Sequence, residues 1–272
     1  MRLEAPAKLN LSLRVVGRRD DGLHELDSHF VLLELADDLL LLPGCSGLRV
    51  EGADAASVPL GADNLAWRGL LAGMGGEPDL ACLTLDKRVP AAAGLGGGSS
   101  DAAAAWRLGR AWQGLPDVAG DNELASLAAI GADVPFFAAA TPAALVSGIG
   151  ERVSAVPPTA AEVVLVHPPF GLSTKEIFAN LAHDEWNRQE NDLLAPALRL
   201  RPELDDLFGL VAASGGRPRL TGSGPTIFSL DDDPDRAAGL ATSLAERGLR
   251  TTHTRTRTTA PSIERIEEEP DR

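Results

Sequence analysis

The strongest chemical signal in the chain is the run Lys87 to Asp101, spelled K-R-V-P-A-A-A-G-L-G-G-G-S-S-D. Four of the five residues from Gly94 to Gly98 are glycine, and two hydroxyls, Ser99 and Ser100, follow at once. Glycine lets a backbone approach a ligand with no side chain in the way. An alternating segment, Leu80 to Leu85, enters the run as a strand, and an alanine-rich helix, Ala102 to Gln113, leaves it. A helix start offers unpaired N–H groups and partial positive charge, with Ser99, Ser100 and Asp101 as candidate caps. The natural occupant is an anion, above all the phosphates of a nucleotide. A tight turn with no ligand is the other reading. The two commonest phosphate loops are excluded: no G-x-x-x-x-G-K-[ST] occurs, and Ser99 stands where G-x-G-x-x-G needs its third glycine.

Four further places carry chemistry-bearing side chains. Lys8 and Asn10 lie two apart on a strand-like run, Arg2 to Val16, and so share one face; that face is either solvent-exposed or the floor of a site. His24 follows a turn and opens the next strand, His24 to Leu35, as a surface histidine or a ligand contact. Asp133 sits in G-A-D-V-P-F-F among apolar neighbours, where a carboxylate is expensive unless paired. It calls for a nearby cation, or else caps the helix ahead of Pro135. Thr174 and Phe178 fall in a helix opened by Ser173 or Thr174. Only three lysines occur, Lys8, Lys87 and Lys175, in a chain whose other cations are arginine. A lysine kept in that setting suggests a place for a compact ammonium.

The elements that must hold these residues follow from patterning. Short strands are expected at Leu39 to Leu42 and Leu48 to Glu51, with Ala5-Pro6-Ala7 marking a bulge or edge. Helices are expected from Asp63 or Asn64 to about Ala72, from Asp121 to Ile130, from Pro202 to Ser214 and from Asp235 to Gly248. A proline-bearing break at 155–158 precedes a buried strand, Val163 to His167. This divides the chain into 1–156 and 157–257, and the charged, proline-bearing tail 258–272 is expected to be disordered.

Composition narrows the class. At 272 residues, with 44% hydrophobic and 24% charged residues, the chain can fold as one large or two modest soluble domains. A net charge of −14 argues against a nucleic-acid binder, and no apolar run reaches membrane length. Cys45 and Cys82 have no metal-ligand spacing and are expected as buried thiols in a reducing cytosol. The opening residues run into a strand bearing Glu4, unlike a signal or transit segment. A cytoplasmic protein is expected.

The loop P-A-A-A-G-L-G-G-G-S-S resembles the phosphate loop of the GHMP kinases, small-molecule kinases named after galactokinase, homoserine kinase, mevalonate kinase and phosphomevalonate kinase. P-A-K-L-N-L, G-R-R-D-D-G-L-H-E-L, G-A-D-V-P-F-F, N-D-L and R-L-T-G-S-G-P-T-I-F are similar, in that order, to a branch of the family whose substrate is a cytidine diphosphate-linked methylerythritol. The resemblance spans residues 5–256. It implies an α+β, two-domain fold, the N-terminal domain like the second domain of ribosomal protein S5 and the C-terminal domain ferredoxin-like, with the active site in the cleft between them. It also implies ATP, with Mg²⁺ whose ligands are not assigned, and phosphorylation of an alcohol in the non-mevalonate isoprenoid pathway. By resemblance Asp133 is the base and Lys8 its cationic partner. Pro90, Gly94, Leu95, Gly96, Gly97, Gly98, Ser99 and Ser100 hold the phosphates. Asn64 reaches the adenine, although capping remains an equal reading. Asn10, His24, Thr174 and Phe178 face the substrate, His24 reading the cytosine edge. One departure stands out: the family places a tyrosine before the histidine, where this chain has Leu23. Another GHMP-type kinase, acting for example on homoserine, is the alternative. A non-catalytic nucleotide sensor on the same fold is a third reading, against which Lys8 and Asp133 together weigh.

Overall fold

Two long alternating segments dominate the computed structural model, which describes residues 1–77 and 80–266. Strand β1 (Arg2–Arg18) turns through Asp20-Asp21-Gly22 and returns antiparallel as β2 (His24–Pro43). The turn closes on itself, Arg19 N–H donating to Leu23 O and Leu23 N–H to Asp21 Oδ1. The stretch Leu39 to Leu42 is therefore the end of β2 rather than a strand of its own. Beyond it come β3 (Gly47–Gly52), α1 (Leu65–Met74), β4 (Ala81–Lys87), α2 (Gly97–Trp112), α3 (Asp121–Leu127), α4 (Val134–Ala138), β5 (Ala143–Gly148) and β6 (Arg152–Ala155).

The first sheet forks on β2. One edge of β2 pairs with β1 along its length, while the other pairs with β5 over residues 26–31 and with β4 over residues 38–43. Between them, residues 32–37 of β2 meet no continuous strand on that side, but an antiparallel bridge from Leu33 to Thr256 and a bond from Arg257 N–H to Leu32 O. Into this gap the chain after β4 inserts, Arg88 and Val89 donating their N–H groups to Asp37 Oδ1 at 2.5 and 2.8 Å.

The remainder runs β7 (Glu162–His167), α5 (Thr174–Ala179), α6 (Leu194–Leu200), α7 (Glu203–Ala213), β8 (Arg219–Leu220), β9 (Ile227–Asp231), α8 (Pro234–Glu246) and β10 (Arg250–Arg255). Its sheet is antiparallel, in the order β10-β7-β9-β8. The two sheets share a core. Ala7, Leu9, Val31 and Leu33 of the first pack with Val163, Leu165 and Phe228 of the second, and Val89, Ala93 and Leu95 of the glycine run are buried between them.

Three expectations are corrected. The tail does not leave the body at residue 258. Ile263 packs on the core beneath β1, Arg107 donates to Pro261 O at 3.0 Å, and Arg2 and Glu264 exchange backbone bonds at 2.9 Å. Apolar burial and backbone pairing outweigh the tail's charge there; residues 267–272 lie outside the described residues. Cys45 and Cys82, expected as separate thiols, form a disulfide, because parallel pairing of Gly47 with Cys82 sets the turn before β3 alongside β4. Helix α3 ends at Leu127, short of Ile130. Among the described residues no helix is long and apolar enough to cross a membrane.

Candidate active site

A bulge in β1 creates the site's first feature. The β1–β2 register shifts between Pro6 and Lys8, as a proline without an N–H requires. Lys8 N–H donates to Leu95 O at 2.9 Å, which stitches the glycine loop to the strand. Lys8 is only 3% exposed. Its ammonium donates to Asn10 Oδ1 at 2.6 Å, lies 3.4 Å from Asp133 Oδ2 and stands 4.9 Å from the centroid of the Phe30 ring. Asn10 is oriented in turn: its Nδ2 donates to Ser28 Oγ at 2.9 Å, and the Ser28 hydroxyl donates to Ser12 O. With the amide nitrogen so engaged, its oxygen must face Lys8. The shared strand face is thus a buried floor.

Asp133 is the residue before α4, yet its side chain makes no capping bond to that helix. Pairing with Lys8 is its visible role. The following residues, Val134 to Ala138, are all buried and fix the carboxylate at the cleft wall.

The glycine loop comes against the same floor. Gly94 has φ +77°, and a Cβ there would stand 2.7 Å from Thr221 O and 2.8 Å from Gly224 O. Gly96, at φ +71°, is the N-cap of α2, and a Cβ there would meet Lys8 Cγ at 3.0 Å. The helix thus starts at Gly97, earlier than its alanines suggest, and Ser99, Ser100 and Asp101 lie inside it rather than capping it. The first α2 bond runs from Ser100 N–H to Gly96 O at 2.9 Å. The N–H groups of Gly97, Gly98 and Ser99 precede it and are not used by the helix, which leaves them for an anion.

These elements enclose a cleft of about 570 Å³. Lys8, Asn10, Asn64, Pro90, Gly94 to Ser99, Asp133, Thr174 and Phe178 all line it. Two expected contacts do not. Ser100 is buried on the far side of α2, near Ala104 and Phe137, because the early helix start rotates it inward. His24 stands one ring behind the wall, stacked on Phe178 at 5.0 Å with the edge of Trp186 against it. Burial and the charge of Arg18 hold its pKa below the ordinary histidine value. Asn64 lines the cleft with its side chain already engaged: Oδ1 accepts from Ala66 and Trp67 N–H at the start of α1, and Nδ2 donates to Pro59 O. Capping is its role here. Leu23 is 50% exposed and is not part of the wall.

Sequence reasoning missed several contributors. Ser223 Oγ shares a 2.8 Å hydrogen bond with Thr174 Oγ1, and both line the cleft. Asp192 accepts four backbone N–H groups, from Val15, Asn187, Arg188 and Gln189, at 2.6–3.0 Å. Asn191 donates to Leu220 O and Gly222 O, both at 2.9 Å. The N-D-L element thereby ties the Trp186 loop, β1 and the loop 221–224 together. Beneath the glycine loop Lys87 Nζ donates to Asp37 Oδ2 at 2.5 Å and Asp101 Oδ2 at 2.7 Å. Except for the local bonds of Asp192 to residues 187–189, only bonds between distant residues reveal these. Among the described residues no cluster of three acidic, histidine or cysteine side chains could hold a metal by itself.

Residues 64–141 match the GHMP kinases N-terminal domain, and residues 173–249 match the GHMP kinases C-terminal domain. A 4-diphosphocytidyl-2-C-methyl-D-erythritol kinase of Granulibacter bethesdensis is 38% identical over 276 residues, covering 90% of each chain. One of Thermus thermophilus is 40% identical over 266 residues, covering 90% of this chain and 92% of its own. A crystal structure of 4-(cytidine 5'-diphospho)-2C-methyl-D-erythritol kinase superposes with TM-score 0.77 at 34% identity, covering 94% of this chain and 99% of that one. A homoserine kinase of Cytophaga hutchinsonii, at 17% identity and TM-score 0.65, shares the fold.

Proposed function

The chain belongs to the 4-diphosphocytidyl-2-C-methyl-D-erythritol kinases of the GHMP family, and we propose that it transfers the γ-phosphoryl group of ATP to the 2-hydroxyl of that cytidine-linked polyol. The observation that carries the proposal is the buried Lys8 facing Asp133 at 3.4 Å, beside free helix-start N–H groups, in one cleft.

Phosphoryl transfer needs in-line positioning, an acceptor for the hydroxyl proton and positive charge around the phosphates. Asp133 takes the proton of the substrate hydroxyl as its oxygen bonds to the γ-phosphorus. The bond from that phosphorus to the bridging oxygen breaks, and ADP leaves. Lys8, held by Asn10 and Phe30, places a fixed ammonium beside the developing charge. The N–H groups of Gly97, Gly98 and Ser99 hold phosphate oxygens. Magnesium, as the usual companion of ATP, would supply charge neutralisation when bound and would arrive with the triphosphate; among the described residues no cluster of three acidic, histidine or cysteine side chains stands ready for it. Phe178 offers a ring face to the cytosine, with His24 behind it. A cytoplasmic setting and a place in the non-mevalonate isoprenoid pathway belong to the same reading.

A coupled assay of ADP release with the cytidine diphosphate-linked polyol, homoserine and mevalonate tests it. Turnover with the first alone is expected. Turnover only with homoserine or mevalonate would move the chain to another branch, and ADP release with none of them would remove the kinase reading.

A further inference from the structure

Lys87, Asp37 and Asp101 form a buried group directly under the glycine loop, and the proposed transfer chemistry uses none of them. All three are at most 3% exposed by side chain. Asp37 is fully engaged, accepting from Lys87 Nζ and from the N–H groups of Arg88 and Val89. Asp101 is not: Oδ2 accepts from Lys87, while Oδ1 is buried with no hydrogen-bond partner. Two carboxylates share one ammonium. If both were ionised the group would carry a net negative charge, one of its oxygens would have no donor, and it would lie below a loop suited to phosphates. A Cβ on Gly97, the first residue of α2, would stand 3.5 Å from Lys87 Nζ, so the group adjoins the anion site.

We propose that Asp101 holds a proton in the folded protein, which leaves the floor of the phosphate loop neutral, and that nucleotide binding is linked to that proton. Asp101 is then a positioning residue, acting on the nucleotide through Lys87. Burial, and then the charge of Asp37, push its carboxyl well above the usual range against the pull of Lys87. The charged neighbours on Asp101 are Lys87 from β4 and Asp37 from β2. Helix α1 meets α2 through Ala66 and Leu70, and Lys8 and Asp133 lie across Gly96 from the group. Bound phosphates add negative charge and favour the proton further. Affinity should therefore fall as pH rises through the free-state titration of Asp101, by up to about tenfold per pH unit for one linked proton.

The test is calorimetry of a non-hydrolysable ATP analogue from pH 6 to 9 on the full chain. Asp101→Asn, a neutral mimic of the protonated acid, is expected to bind the analogue three- to tenfold more tightly than the wild type at pH 9. Asp37→Asn, which removes the only counter-ion with three donors, is expected to weaken binding more than tenfold at every pH. Parallel pH profiles for wild type and Asp101→Asn, or equal damage from the two substitutions, would overturn the proposal. If Asp101→Asn does not fold, infrared spectroscopy of the wild type at pH 7 decides: a protonated carboxylic acid band that disappears at alkaline pH supports it, and the lack of such a band refutes it. The inference rests on the loop being a nucleotide site. An analogue that fails to bind the wild type at any pH refutes that reading instead.

Discussion

Replacing Asp133 by Asn tests the catalytic reading most directly, because the structure separates its effect on the fold from its effect on the reaction. The substitution keeps the side-chain shape and removes the carboxylate paired with Lys8. Lys8 keeps the 2.6 Å bond to Asn10 Oδ1 and the Phe30 ring face. The Asp133 side chain is 30% exposed, so the lost ion pair is partly screened and should cost the fold no more than ~1 kcal/mol. A general base contributes roughly two to four orders of magnitude to the rate. At ~1.4 kcal/mol per tenfold, that is about 3–5.5 kcal/mol of transition-state stabilisation. The larger figure belongs to the reaction, so kcat should collapse while melting temperature and ATP affinity change little. Single-turnover phosphoryl transfer, calorimetry with an ATP analogue and a thermal melt read the three quantities separately. The cycle with Lys8→Met sharpens the result. If the two side chains act as one unit, the double variant is little slower than the worse single one. Near-wild-type turnover in Asp133→Asn would refute the assignment of the base, and strictly additive losses would refute the coupling to Lys8.

Three other outcomes follow from the geometry. Gly94→Ala should lower both stability and nucleotide affinity, since the left-handed backbone alone costs roughly 1–2 kcal/mol and a Cβ meets two backbone carbonyls within 3 Å. Gly98→Ala, whose Cβ meets only Leu65 Cδ1 at 3.3 Å, should be mild, and equal damage in thermal melts would contradict this account. Phe178→Ala should weaken a cytidine diphosphate analogue by about 1–3 kcal/mol, whereas Leu23→Tyr should change its affinity less than twofold because Leu23 lies outside the cleft wall; titration of the analogue distinguishes them, and the reverse order would place the base elsewhere. Burial holds His167 at about 4, so it stays neutral in the fold but is protonated in the unfolded chain below about 6.5. Its unfolded state binds more protons, so stability is lost as pH falls from 6.5 towards 4, by up to ~1.4 kcal/mol per unit; urea unfolding at several pH values should show a shallower acid slope in His167→Gln, and an unchanged slope would remove His167 from the account.

Much of the site was legible because its signals are local. The glycine run, the isolated carboxylate of Asp133 and the Lys8–Asn10 pair each have a meaning that needs only neighbouring residues, and the cleft brings all of them together. What the motifs leave open or misplace has one cause. Position in a motif puts Ser100 at the ligand and leaves Asn64 between ligand and cap, but a side chain's partner depends on where its helix begins. An earlier start of α2 turns Ser100 inward, and capping of α1 uses the Asn64 amide. Asp37 could not be singled out from sequence, since its importance comes from the fork in β2 and the backbone that enters there. The tail's charge and prolines hide its course, which one half-buried isoleucine and a backbone pairing decide.

The burial of the glycine loop explains how a backbone site can be held rigid enough for phosphoryl transfer. Loops usually run over a surface and move. Here Val89, Ala93 and Leu95 are in the core between the two sheets, Lys8 N–H grips Leu95 O, and Gly94 abuts the carbonyls of Thr221 and Gly224. Three different parts of the chain thus fix the loop on three sides, leaving the helix-start N–H groups facing the cleft. Lys8 belongs to the same arrangement, since the bulge that frees its backbone N–H for the loop also places its ammonium on Asp133. Catalysis by positioning requires donors whose orientation is set before the substrate arrives. In this fold that orientation is a property of the interdomain core. Enlarging a buried residue such as Ala93, which sits in the shared core and also lines the cleft, should therefore disturb phosphate binding and domain packing together.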